Sequence, residues 1–482
     1  CIAQGCLSAM ISKRALQAWN PIFWLKQHFS VSQQGIQDAL GIFGVFLLSR
    51  LIVLAGFWAA GHPAWVNTVL CGYRFLFNSP SPSGSPFAIH PFSLEPTSRT
   101  FTDFAKMWDG FWYLDISQYG YAYDGTTQHQ SITFYPLYPW LSKGFSVLLT
   151  GLGLQSEQAI LLSGLILSNL LFLIAIWMLF SLVRQKSGRP TAWVSILLLS
   201  LYPGSLFCSL FLTESLFLAL AISFFLALER RHYLLAVLLS WPACLTRFNG
   251  VSLAMSMIAH LWGQVLKTPY KWLALAALTG VFLYPLYLWW GLGDPWLYLK
   301  MHANYRGQLP IAKLSGLLLV FAIAWILGGK KDNTSAEWKP LHKIREAAPG
   351  FLCLSCAAFY VLSFINLLGW PGPWQRAQHV LPIHLGPVLA ATAFGLIVFG
   401  WYRHKLEPAY KTYVALNLFP LLFAGTFFSN HRYLILIFPI FWALAGGLER
   451  SIISAALCCT LFALLLFGLT VLYAAMGWLM IF

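Results

Sequence analysis

Apolar residues run through this chain in long stretches instead of alternating with polar ones. Runs near 38–60, 157–183, 191–208, 210–228, 233–247, 250–266, 272–291, 311–328, 349–369, 379–401, 412–428, 433–449 and 453–479 predict helices that cross or enter a membrane. A full crossing needs about 20 apolar residues. Several of the runs are shorter and read as short spans or hairpins buried in the bundle. The stretch 132–154 is also apolar, but Pro136 and Pro139 interrupt its start, so it is placed as an in-plane or re-entrant segment. The expected architecture is an all-α polytopic membrane protein, a bundle of about 11–13 transmembrane helices. Residues 1–37 are expected to form an amphipathic cytoplasmic segment and 38–482 a single integral-membrane domain. Within that domain, 61–131 is the first extracytoplasmic loop and carries interfacial helices.

Composition narrows the class. Of 482 residues, 59% are hydrophobic, 17% aromatic and only 9% charged, where soluble domains carry about a quarter charged. An ordinary cytosolic enzyme is excluded, and so is a disordered chain. The net charge of +15 would point to nucleic acid in a soluble protein. Here the cations sit in short loops and set membrane orientation, so no nucleic-acid partner is expected. Alternate loops hold unequal numbers. One set contains Lys13, Arg14, Lys26, Arg184, Lys186, Arg189, Arg230 and Arg231 and continues to Arg450, nineteen cations in all; the other, from Arg74 to Arg432, has nine. The richer set is expected in the cytoplasm. Treating 132–154 as a full span would put the 184–189 cluster outside, a second reason to demote it. The nine cysteines lie mostly in apolar runs, and Cys353 and Cys356 read as packing residues despite their C-x-x-C spacing. The chain opens at Cys1 without the layout of a signal peptide, so the expectation is that its natural start is missing or processed.

With this orientation the acids, bases and histidines gather on the non-cytoplasmic face. Asp103, Asp109, Asp115 and Asp124 lie in the first large loop, and Glu214 sits near the outer end of its helix. Thr246-Arg247-Phe248-Asn249-Gly250 forms an outer hairpin; Gly293-Asp294-Pro295 opens a loop with His302 and Asn304; His431-Arg432-Tyr433 starts another helix. Ionisable residues at membrane depth suggest a site. Each candidate has a plainer alternative. Asp109 is either a general base at the bilayer boundary or an N-terminal aspartate on a surface helix whose residues 111–119 are amphipathic. Glu214 is either functional or the partner of a structural arginine. Arg247, and Arg432 with His431, either meet a phosphate or anchor the interface. Arg50, inside the first span, is expected to face the bundle interior and pair there. Neither a nucleotide-binding loop nor a convincing metal-ligand spacing appears in the sequence.

Five segments, in order, resemble one family. Trp108-Asp109 … Tyr113 … Ile116 … Gly120-Tyr121 … Phe134-Tyr135-Pro136-Leu137-Tyr138-Pro139 is similar to the first lumenal loop of the PIG-V mannosyltransferases, which add the second mannose to the glycosylphosphatidylinositol precursor. Tyr202-Pro203-Gly204 through Thr213-Glu214-Ser215-Leu216-Phe217, Thr246 to Gly250, Gly293-Asp294-Pro295 with His302-Ala303-Asn304, and Arg432-Tyr433 with Phe438-Pro439 follow. Two features depart from the pattern: Leu212-Thr213 precedes Glu214, and the acidic residue after Gly-Tyr is shifted to Asp124. The resemblance implies a GT-C bundle that takes a sugar, mannose, from a polyprenyl- or dolichyl-phosphate donor. The acceptor would be a lipid-linked glycan, glycolipid or protein, and no metal or other cofactor would be required. It further implies Asp109 as base, with Arg247 and Arg432 or His431 on the donor phosphate. Glu214, Asn249, Trp108, Asp294 and His302 would bind sugar or acceptor or orient the arginines. A flippase for a lipid-linked sugar and a noncatalytic scaffold subunit are the competing classes; a transporter should carry internal repeats, which are not evident. A bacterial plasma membrane is favoured, or the endoplasmic reticulum if the source is eukaryotic.

Overall fold

The computed structural model describes residues 33–60, 101–107, 109–123, 130–265, 271–306, 407–418, 427–449 and 451–476. Among the described residues the regular structure is entirely helical. In chain order the elements are α1 (Gln33–Ala60), α2 (Phe101–Ala105), α3 (Asp109–Tyr119), α4 (Leu137–Thr150), α5 (Ser156–Ser187), α6 (Arg189–Leu201), α7 (Glu214–Glu229) and α8 (Tyr233–Thr246). They continue with α9 (Val251–Val265), α10 (Lys271–Thr279), α11 (Leu283–Leu292), α12 (Leu297–Arg306), α13 (Pro408–Leu418), α14 (Phe427–Ile435), α15 (Pro439–Leu448) and α16 (Ile452–Met476). Short 3-10 turns at Pro203–Ser209, Phe248–Gly250 and Gly280–Phe282 link consecutive helices.

Four described helices are long and apolar enough to cross a membrane: α1, α5, the continuous Trp272–Leu292 run, and Ile452–Val471 within α16. The bent pair Arg189–Leu201 and Pro203–Ser209 makes a fifth if counted as one span, and its halves meet at 73°. Pro203 explains the break, because the residue before a proline is pushed out of the helical region and the ring cannot donate to the ladder. Helices over the expected runs 210–228, 233–247 and 250–266 have 16, 14 and 15 residues. At 1.5 Å per residue each falls short of a hydrocarbon core about 30 Å thick. The 132–154 stretch contains a 14-residue helix, α4, again too short to cross alone. The first described helix spans Gln33–Ala60 and so includes residues upstream of the expected 38. The expected runs at 311–328, 349–369 and 379–401, with Cys353 and Cys356, lie outside the described residues.

Helix α7 occupies the centre. It is apolar on all sides, and nearly every side chain from Glu214 to Leu228 is buried. It packs between α5 and α8, while α4 and α6 flank α5 and α16 lies along α1. Lipid is as apolar as leucine, so close packing and interhelical hydrogen bonds hold such a bundle, not burial alone. Ser163 Oγ donates to the Ser142 carbonyl at 2.5 Å, Tyr138 Oη to Gly164 at 2.9 Å, and Trp241 Nε1 to Ala276 at 2.9 Å.

Charges segregate to the two ends of the bundle. At one end Asp38 accepts from Arg184 Nη1 at 2.9 Å and Arg189 Nη2 at 2.7 Å. Lys186 lies between Glu229 and Glu407. Hydrogen bonds from His260 and Lys186 hold the Glu407 carboxyl at about 2. These residues come from the richer cationic loop set and from the acids that face it. The opposite end carries Glu214, about 22 Å from Glu229 by helical rise along α7.

Gly250 illustrates how tightly the turn after α8 folds back. A β-carbon there would stand 2.4 Å from the Cys244 backbone, which cannot rotate away. Gly250→Ala is therefore expected to destabilise by about 1–3 kcal/mol through overpacking. Thermal unfolding in detergent checks this, and an unchanged midpoint would show that the turn is looser than drawn.

Candidate active site

The site forms where four elements end together. Helix α3 starts at Asp109, α7 starts at Glu214, α8 stops just before Arg247, and α14 carries Arg432. Glu214 is fully buried, and its Oε1 accepts from Arg247 Nη1 at 2.8 Å and Arg432 Nε at 2.8 Å. Arg432 Nη2 also approaches that oxygen to 2.7 Å but is not aligned to bond, so Nε makes the true hydrogen bond. The other face of the Arg432 guanidinium reaches out: Nη1 donates to Asp109 Oδ2 at 2.6 Å. One planar cation thus spans two carboxylates, a geometry that suits arginine and not lysine.

The four groups balance as two carboxylates and two guanidiniums. Asp109 is the open member, its side chain 35% exposed against 6% for Arg432. Glu214 Oε2 is buried and has no hydrogen-bond partner among the described residues, so it could accept from a hydroxyl or a water. Thr213 Oγ1 takes a second bond from Arg247 Nη1 at 2.7 Å and lies 3.4 Å from the Tyr113 hydroxyl. Burial pushes the Tyr113 phenol above its ordinary range, so it stays protonated. Phe207 lies under Arg432 and Tyr433 under Arg247, with guanidinium-to-ring distances of 5.6 and 5.3 Å.

Asp109, Glu214, Arg247 and Arg432 are therefore brought together, while His431, Asn249 and Asp294 make other contacts. His431 turns the other way, its Nδ1 3.0 Å from the Tyr202 hydroxyl. Asn249 donates through Nδ2 to Asn417 at 2.7 Å, and Asn417 in turn donates to Ser252 at 2.8 Å, an amide relay joining α9 and α13. Asp294 sits in the turn before α12, where Lys300 and the Trp296 amide hold its carboxyl below the ordinary range. His302 lies on α12, and Trp108 lies outside the described residues. Helix α3 is not sharply amphipathic. Tyr113, Leu114 and Ile116 face inward, yet Phe111 and Tyr119 remain 50% and 81% exposed. Arg50 faces the interior as expected, but its partners are Ser209 Oγ at 2.5 Å and the Ser205 carbonyl at 3.2 Å, not an acid.

Sequence reading did not single out Thr213, Tyr113 or Asn417 for these contacts. Thr213 and Asn417 had one usable signal, a polar side chain in an apolar run. Among the described residues no group of His, Cys, Asp and Glu is arranged to hold a metal ion.

Residues 72–308 match the family described as Mannosyltransferase (PIG-V). No curated protein matches the chain at a significant level. The matched region includes Asp109, Glu214 and Arg247, while Arg432 comes from beyond it and closes the site. Residues 72–308 carry the likeness to the PIG-V mannosyltransferase family, and the chain is an integral-membrane glycosyltransferase.

Proposed function

We propose that the protein transfers mannose, with inversion, from a polyprenyl- or dolichyl-phosphate donor to a hydroxyl of a lipid-linked glycan, glycolipid or protein. In the step, the acceptor oxygen bonds to the sugar C1 as the bond from C1 to the phosphate oxygen breaks. The bonding pair leaves on the phosphate, and the acceptor proton passes to Asp109. A single displacement needs one base and cations for the leaving phosphate. The observation that carries this reading is Arg432 bridging Asp109 and Glu214 beside Arg247. It supplies one half-open carboxylate and two fixed cations within one cluster. Glu214 keeps both guanidiniums oriented, and its Oε2 is available to a sugar hydroxyl.

The active face is the non-cytoplasmic one in this reading. The Arg184, Lys186 and Arg189 end takes the cytoplasm by the cation bias. Near the other end, Trp289, Trp290 and Trp296 are 60%, 89% and 58% exposed, an aromatic belt suited to the membrane interface. A lipid donor would present its phosphate at that depth.

The test uses the purified chain in nanodiscs with radiolabelled polyprenyl-phosphate mannose and a lipid extract of the source organism. Label is expected in a new product. Absence of both transfer and donor hydrolysis, across several polyprenyl-phosphate sugars, would put the transporter and scaffold classes ahead. A chelator is expected to leave the rate unchanged, because two arginines can neutralise a lipid phosphate without a divalent ion. Loss of activity in EDTA, restored by one divalent metal, would overturn that part.

A further inference from the structure

The base and the phosphate-binding cation are bonded to each other. Asp109 Oδ2 is held by Arg432 Nη1 at 2.6 Å, a short charge-assisted contact. While that bond stands, the carboxylate that should take the acceptor proton has one of its two oxygens occupied by a cationic donor. Arg432 does not need Asp109 to stay in place, because Nε remains hydrogen-bonded to the buried Glu214, whose charge it also pairs. Its Nη1 is thus the arm that can change partner. The partner it leaves is the 35% exposed member of the cluster, whereas Glu214 is fully enclosed.

We infer that the donor's phosphate takes the Nη1 arm of Arg432 from Asp109, so that donor binding is what frees the base. This rests on the transferase reading above. It deepens that reading by giving the site an order: lipid-phosphate sugar first, acceptor deprotonation second. The charge balance supports the exchange. The cluster is neutral as two acids and two guanidiniums, and an arriving phosphodiester adds one negative charge. That charge is best met by withdrawing a guanidinium from one carboxylate, and Asp109 can lose it at least cost because water reaches it. During transfer the acceptor's proton neutralises Asp109 as the departing phosphate gains a charge. Arg432, already on the phosphate, then meets the growing charge instead of the vanishing one. The same exchange would keep Asp109 from activating water in the absence of donor.

The test reads Asp109 directly in the full chain in nanodiscs. A water-soluble carbodiimide with glycine ethyl ester labels accessible carboxyls, and peptide mass spectrometry reports Asp109 against exposed Glu157 as internal reference. Undecaprenyl phosphate is the probe, and its binding is measured in parallel with the tritiated lipid. Labelling of Asp109 is expected to rise about tenfold when the probe is bound, the scale of one lost charge-assisted hydrogen bond. Arg432→Gln should show the high labelling without the probe. Should the probe bind while Asp109 labelling stays level or falls, the exchange is wrong and the transferase reading stands. Should the probe fail to bind at any concentration, the donor assignment fails and the exchange fails with it. The wild-type comparison needs no variant, so poor folding of Arg432→Gln does not blunt it.

Discussion

Asp109→Asn is expected to lower the transfer rate by about a thousandfold, within the range for losing a positioned base. The size follows from how little else the substitution disturbs. Asparagine keeps the shape of the side chain, and its carbonyl can still accept from Arg432 Nη1. Arg432 itself is fixed by Glu214 through Nε. The variant should therefore fold, and its unfolding midpoint should stay close to wild type because residue 109 is half-open to solvent. Donor binding should be kept or strengthened, since a negative charge near the incoming phosphate has gone. The prediction is thus a fall in kcat with the donor KM unchanged or lower, measured as initial rates in nanodiscs. A raised KM with kcat intact would make Asp109 a binding residue and not the base.

Much of this site was legible because its parts are chemically out of place. Glu214 and Arg247 are ionisable residues bordering apolar runs, and Asp109 opens an aromatic segment. Such residues must pair or act, so the sequence points at them even without their partners. The partners themselves were not legible. Arg432 meets Glu214 across 218 residues of chain, and no local period reports a contact at that separation. For the same reason Asn249 could be placed beside the site by its neighbour Arg247, whereas its amide actually donates to Asn417 on α13. Adjacent residues on a turn point in different directions, and spacing alone does not say which one faces the centre. His431 and Arg432 repeat the lesson on α14, one facing Tyr202 and the other Glu214. Span counting has a different limit. Hydropathy registers apolar length whether a helix faces lipid or other helices: α7 is buried on nearly every side, whereas α8 leaves Leu234, Leu235 and Leu238 exposed.

Glu214→Gln is expected to destabilise the protein by about 3–5 kcal/mol, the cost of removing one partner from a buried ion cluster. Both guanidiniums bond the same oxygen of a fully buried carboxylate. Glutamine keeps a carbonyl for one of them but brings no charge, leaving two buried cations against a single half-open aspartate. The repulsion falls on the starts of α3 and α7, the end of α8, and α14 together, so the midpoint should drop and transfer should be lost with it. A merely sugar-binding glutamate would behave otherwise, weakening substrate affinity with the midpoint unchanged. The two roles separate in the double variant Glu214→Gln with Arg247→Gln, which restores charge balance as one acid and one guanidinium. If the cluster is the reason for the loss, the second substitution should recover about 1 kcal/mol or more of stability while transfer stays absent. Additive losses in the double variant would mean that Arg247 is held by Thr213 and Tyr433 well enough to stand alone, and that Glu214 does not organise the site. The same measurement bears on Arg432. Once Arg247 is gone, Asp109 and Arg432 remain the balanced pair, and their contact alone must then hold α3 against α14.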